Sequence, residues 1–78
     1  MKELIEYIVR ALVDNPDQAV IKELAGERTL MYEVKVAPSD YGKIIGKEGR
    51  TAKAIRAIIA AAAMKVGKRA SLEIIEPR

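Results

Sequence analysis

Nine residues, Gly42-Lys43-Ile44-Ile45-Gly46-Lys47-Glu48-Gly49-Arg50, constrain this chain more than any other part of it. Three glycines interrupt a sequence that otherwise favours helix, so the chain must end one short helix, turn within four residues and start another. Glycine tolerates positive φ and lets a second backbone approach. The first turn of the following helix carries unpaired N–H donors and a partial positive charge. Lys47 and Arg50 place full charges beside those donors, so the Gly46–Gly49 loop is suited to hold a phosphodiester backbone. Lys43 and Lys53 add attraction from further off.

The charge distribution points the same way. The net charge is only +3, but Lys43 to Arg69 holds eight basic residues (Lys43, Lys47, Arg50, Lys53, Arg56, Lys65, Lys68 and Arg69) against Glu48 alone, a local balance of +7. The remainder has six basic and ten acidic residues, a balance of −4. A basic run of this kind is often a solvated helix face. Its coincidence with the glycine loop favours a footprint for a polyanion.

Around that loop the pattern reads as one domain of α+β class. Glu3 to Val13 sets Leu4, Ile5, Ile8, Val9, Leu12 and Val13 on one side of a helix, which Asn15-Pro16 ends. Gln18 to Leu24 is a weaker strand with Val20, Ile21 and Leu24 as apolar members. Ala25-Gly26-Glu27-Arg28 makes a turn. Thr29 to Ala37 alternates cleanly, with Leu30, Tyr32, Val34 and Val36 on one face, so these two strands form a hairpin. Pro38 stops the second strand, and Ser39 is the expected N-cap of a short helix reaching Ile45. Arg50 to Val66 is an alanine-rich helix closed by Gly67. Ala70 to Ile75 alternates again as a last strand. The order is α-β-β-α-α-β, with helices on one face of a three-stranded sheet, over a single domain spanning residues 1–78.

At Ile44-Ile45-Gly46-Lys47-Glu48-Gly49 the sequence resembles the KH domain family, whose hallmark is Ile-Ile-Gly-x-x-Gly between two helices. The helical opening, Val13-Asp14-Asn15-Pro16, Ser39-Asp40-Tyr41-Gly42 and Gly46 to Ala52 extend the likeness, over essentially the whole chain, to the KhpA family of small bacterial KH proteins. Ala52 stands where KH domains usually carry a larger aliphatic residue. The element order resembles the type II arrangement of the fold. The resemblance implies a loop that clamps about four nucleotides and a protein of RNA-chaperone or post-transcriptional-regulator type. It also implies self-association, pairing with a second, larger KH-containing RNA-binding protein, and a link to cell-envelope growth and cell shape.

Other chemistries find little support. Gly42-x-x-x-Gly46-Lys47-Glu48 is one residue short of a phosphate-binding Walker loop, and Glu48 replaces the magnesium-holding hydroxyl. No Gly-x-Gly-x-x-Gly follows a strand. The chain has no histidine and no cysteine, which removes disulfides and the commonest metal ligands and nucleophile pairs. The eleven carboxylates are scattered singly, so neither an enzyme nor a cofactor is expected. Asp14 and Asp17 flank a proline and read as turn residues. Acidic residues break up the apolar opening, so no signal peptide or membrane span is expected, and the protein should be cytoplasmic.

The expected mechanism is sequence-tolerant binding of short single-stranded RNA. Amides of Gly46, Lys47, Glu48 and Gly49, with Lys47 and Arg50, would hold phosphates. Ile44, Ile45, Ala52, Ile55 and Val36 are candidates for the floor of a base groove, or for ordinary core. Tyr7, Tyr32 and Tyr41 are the only aromatics, so an aliphatic groove rather than base stacking is expected. A competing reading is a protein–protein module. In the long helix, Thr51, Ile55, Ile58, Ile59, Ala62 and Val66 should pack on the sheet. Ala57, Ala60, Ala61 and Met64 then form a second apolar stripe, suited to a homodimer.

Overall fold

A computed structural model describes residues 1–77. Helix α1 spans Lys2–Leu12, strand β1 Val20–Ala25 and strand β2 Thr29–Lys35. Helix α2 follows at Tyr41–Ile45, helix α3 at Arg50–Lys65 and strand β3 at Arg69–Ile74. This is the expected element order, and short 3₁₀ turns occupy Pro16–Gln18, Pro38–Asp40 and Lys47–Gly49.

β1 and β2 form an antiparallel hairpin from Val20↔Lys35 to Ala25↔Leu30, closed where the Gly26 amide donates to the Thr29 carbonyl at 2.8 Å. β3 lies on the other side of β2 and parallel to it, paired from Thr29↔Arg69 to Val34↔Ile74. A parallel pair cannot be joined by a tight turn; it needs a crossover. α2 and α3 are that crossover, and the glycine loop lies midway along it.

The core sits between the sheet and the helices. Leu30, Tyr32, Val34 and Val36 are all buried, as their alternation requires, and so are Leu72 and Ile74. They meet Ile5 and Val9 of α1, Ile44 of α2 and Ile55 and Ile59 of α3. Each such aliphatic side chain contributes about 1.5–3 kcal/mol on leaving water. Tyr32 is the largest fully buried side chain. Its hydroxyl donates to Oε2 of Glu23 at 2.6 Å, directly across the hairpin register. Burial, with that carboxylate bond and the Glu23 charge, pushes the Tyr32 phenol pKa well above its ordinary value. The opposite sheet face, with Lys22, Met31, Lys35, Ser71 and Glu73, is exposed, so the helices do pack on one face only.

Three expectations need correction. Leu4 and Leu12, placed on the apolar side of the first helix, are 39% and 40% exposed, because the line Ile5, Val9 and Val13 faces the core and the line of Leu4, Ile8 and Leu12 lies at its margin. In β1, of the three apolar members Ile21 alone is buried, and strand alternation turns Val20 and Leu24 to solvent.

The sheet-facing side of α3 is Ala52, Ile55, Ile59 and Ala63, while Ile58 and Val66 are 48% and 66% exposed and Thr51 and Ala62 are half-buried. The buried stripe is thus turned by about 50° from the expected one. The small side chains of Ala52 and Ala63 let the helix settle close to the sheet on that side.

Ser39 makes no capping bond: the chain winds through the 3₁₀ turn Pro38–Asp40 before α2 starts, and Ser39 is exposed. Gly67 does close α3, at φ 71°, with its amide donating to Met64 and the Lys68 amide to Ala63. Those two bonds are the Schellman pattern of a left-handed helix end.

Candidate nucleic-acid interface

The loop after α2 takes its shape from three unusual backbone positions, Gly46, Glu48 and Gly49. The Gly46 amide closes the last turn of α2 on the Gly42 carbonyl at 2.8 Å, and Gly46 then adopts φ 76°, ψ 172°. That region is open essentially to glycine alone. A Cβ there would lie 2.7 Å from Cβ and 2.8 Å from the amide nitrogen of Thr51, so the loop packs directly on the first turn of α3. Glu48 (φ 58°, ψ 24°) and Gly49 (φ 75°, ψ 14°) are both left-handed, and α3 begins at the next residue.

This winding leaves two donors open. The Gly49 amide donates to Gly46 and the Arg50 amide to Lys47. Among the described residues, nothing accepts from the amides of Lys47 and Glu48. Lys47, Glu48 and Arg50 are exposed around them, as is Lys53 one turn along α3. Glu48 does not fill the site: its carboxylate lies 3.6 Å from the Arg50 guanidinium with both side chains mostly in solvent, a geometry that holds neither in place. The result is a concentration of donors and cations at the N-terminus of a sixteen-residue helix, where an anion is favoured.

Lys43 differs from its expected role. Its ammonium pairs with the Asp14 carboxylate and lies 3.8 Å from that of Asp40, so two internal anions claim its charge. The hydrogen bond that Lys43 donates to Asp14 and the two carboxylate charges together outweigh desolvation and raise the Lys43 pKa. The expected groove floor is also altered. Ile44, Ala52, Ile55 and Val36 are buried core residues, and Ile45 alone of that set is only half-buried beside the loop.

Sequence reasoning missed the group that holds α2 in place. Asp40, fully buried, accepts hydrogen bonds from the Asp14 amide (3.1 Å), the Asn15 amide (3.0 Å) and Nδ2 of Asn15 (3.0 Å). It ties the start of α2 to the turn after α1. Burial by itself would raise its carboxyl pKa, but these bonds and the Lys43 charge prevail and hold it below the ordinary carboxylate value. The signal was present in Asp14-Asn15-Pro16 and Ser39-Asp40, but only as two separate turns.

The four exposed residues Ala57, Ala60, Ala61 and Met64 lie on the outer side of α3, and the 48%-exposed Ile58 extends their stripe. No helix among the described residues is long and apolar enough to cross a membrane. Nor does any cluster of carboxylates among them have the makings of a metal site.

Comparison with known proteins bears on this arrangement. Residues 2–74 match the family model described as KhpA/KhpB, KH domain. The chain is 55% identical over 75 residues, 96% of its length and all of the relative's, to the RNA-binding protein KhpA of Clostridium acetobutylicum. It is 51% identical over 78 residues, the full length of both, to the protein of the same name from Chlamydia pneumoniae. Against that of Aquifex aeolicus the identity is 45% over 76 residues, 97% of this chain and 96% of the other. No solved structure was found to match. With its loop, its element order and likeness along its whole length all agreeing, the chain belongs to the KhpA/KhpB family of KH-domain proteins.

Proposed function

We propose that this protein binds short single-stranded RNA through the Gly46–Gly49 loop and acts in the cytoplasm as an RNA chaperone or post-transcriptional regulator, without catalysing a reaction. The observation that carries this reading is the pair of open amides at Lys47 and Glu48, flanked by Lys47 and Arg50 at the start of α3. The relatives' names as RNA-binding proteins support it. Phosphate oxygens accept from the amides while Lys47 and Arg50 supply counter-charge. Ile45, half-buried at the loop, is the aliphatic surface nearest to hand for a base. With about four nucleotides in contact, two to four phosphates are neutralised, and log K should fall against log salt with a slope of about −0.7 per phosphate.

The test is Lys47→Asp, which places a second carboxylate beside Glu48. Binding to single-stranded RNA should weaken by about 1–3 kcal/mol, while the circular dichroism spectrum stays that of the parent, because the loop is exposed. A folded variant that binds as well as the parent, or a parent that prefers duplex, refutes the loop assignment.

The outer stripe of α3 supports a second property, a homodimer. Ala57, Ala60, Ala61 and Met64, with Ile58, form an apolar helix face that no element among the described residues covers. The same face is available to a larger KH-containing protein of the family, consistent with the paired KhpA/KhpB family name.

A further inference from the structure

The far end of α3 carries a second concentration of positive charge. Arg28 ends the hairpin turn, Lys65 lies in the last turn of α3, and Lys68 and Arg69 lead into β3. Two features of the fold bring these separate segments together. The left-handed Gly67 reverses the chain at the helix end, and the Arg69 amide donates to the Arg28 carbonyl at 2.9 Å, starting the parallel pairing. Between them is a shallow cavity of about 370 Å³ lined by Arg28, Thr29, Met64, Gly67, Lys68 and Arg69. Three cations line it and no carboxylate does. Among the described residues, none of these four cations takes part in an ion pair.

Cations at a helix C-terminus are commonly explained by the helix dipole. That end bears only about half a negative charge, which offsets a fraction of one of the four. Arg28, Lys68 and Arg69 thus bring positive charge to one concave surface that no carboxylate lines, with Lys65 nearby in the last turn of α3. We infer that this cavity is a second phosphate site, taking the backbone of the same RNA strand that the Gly46–Gly49 loop holds. The inference rests on the RNA-binding reading of the loop and extends its footprint.

The geometry sets the length of strand required. The sixteen residues of α3 separate the two sites by about 24 Å at 1.5 Å per residue. A strand stacked at about 3.4 Å per nucleotide spans that distance in about seven nucleotides. With about four held at the loop, a strand of about eleven reaches both sites, and one of five cannot. The separation is about three Debye lengths at physiological salt, so removing charge at the far site leaves the loop's own attraction for a short strand nearly untouched.

The test uses fluorescence anisotropy with labelled oligouridylates of five and twelve nucleotides, and the variant Arg28→Gln/Lys68→Gln/Arg69→Gln. The variant should bind the five-mer within about twofold of the parent. It should bind the twelve-mer at least about tenfold more weakly, with a salt slope shallower by about 2, or 0.7 for each lost contact. Arg28→Lys/Arg69→Lys, which keeps the charge, should bind the twelve-mer as the parent does and so separates charge from fold. If the triple variant retains the twelve-mer affinity, or loses both oligomers equally, the second site is refuted. A length advantage that survives the triple variant but vanishes in Ala61→Asp means that two loops of a dimer share the strand instead. Weakened five-mer binding in Lys47→Asp, with the triple variant unchanged on both lengths, upholds the loop and removes the far site alone. A parent that binds neither oligomer refutes both.

Discussion

The carboxylate of Asp40 accepts the amide of Asn15 at 3.0 Å across twenty-five residues of sequence, and through it α2 is fastened to the turn that follows α1. Because the fold holds this carboxyl below its ordinary pKa, the unfolded chain takes up a proton at a higher pH than the native one. Its contribution is therefore complete above the unfolded value of about 3.9 and is lost as pH falls through the lower native value. Asp40→Asn should lower the melting temperature at pH 7 and flatten its decline below about pH 4. Equal acid sensitivity in parent and variant, followed by thermal denaturation, would assign that sensitivity to other carboxylates.

Asp14 occupies the ammonium of Lys43 in the free protein. A phosphate arriving at the loop must compete with that carboxylate, so Asp14→Asn should strengthen RNA binding by a few-fold and steepen the salt slope by about 0.7. Lys43→Gln should change little in the parent and abolish the gain in Asp14→Asn. Titrations across the four proteins of this cycle measure the coupling directly. A loss of affinity in Asp14→Asn would mean that the pair supports the site rather than masking it.

Gly46 and Gly49 share the same motif but not the same constraint. Ala at 46 would put its methyl against Thr51 in a backbone region reserved for glycine, and should destabilise by at least about 2 kcal/mol. Ala at 49 meets nothing within 4 Å and carries only the left-handed penalty, about 1 kcal/mol. Urea unfolding of the two variants should separate them in that order.

Ala61 is exposed on α3, on the side away from the sheet. Ala61→Asp should yield a folded monomer, and light scattering after size exclusion should show the parent to be a dimer at high micromolar concentration. A monomeric parent or a dimeric variant would remove the homodimer. Ile58→Asp, at the margin of the stripe, should weaken the dimer less.

The strands and loop were legible because local rules determine them. Alternation from Leu30 to Val36 can serve only one buried face, and Gly46 sits where only glycine fits. The face of α3 was less legible. Its periodicity defines a stripe, but Ile58 and Ala63 exchange places on a rotation of half a residue, and only the shape of the sheet chooses between them. Asp40 was illegible for a different reason. A buried carboxylate is identified by its partners, and those lie on another turn whose proximity exists only after folding. The pairing of Lys43 with Asp14 was hidden for the same reason, since the two lie far apart in sequence and meet only after folding.

The parallel pairing of β2 with β3 also governs how the molecule comes into being. The hairpin joins residues five to fifteen apart, from Ala25↔Leu30 to Val20↔Lys35. Every β2–β3 pair joins residues forty apart, as Thr29↔Arg69 does. The hairpin can close within microseconds, whereas the third strand must first gather a long chain segment, and its closure entropy slows the approach. That segment contains α2, the glycine loop and α3. A growing chain that has not yet delivered Arg69 to Ile74 therefore holds a finished hairpin but lacks the strand that anchors the far end of α3. Competence to grip a nucleic acid should appear late, with the last strand, rather than with the loop's own synthesis.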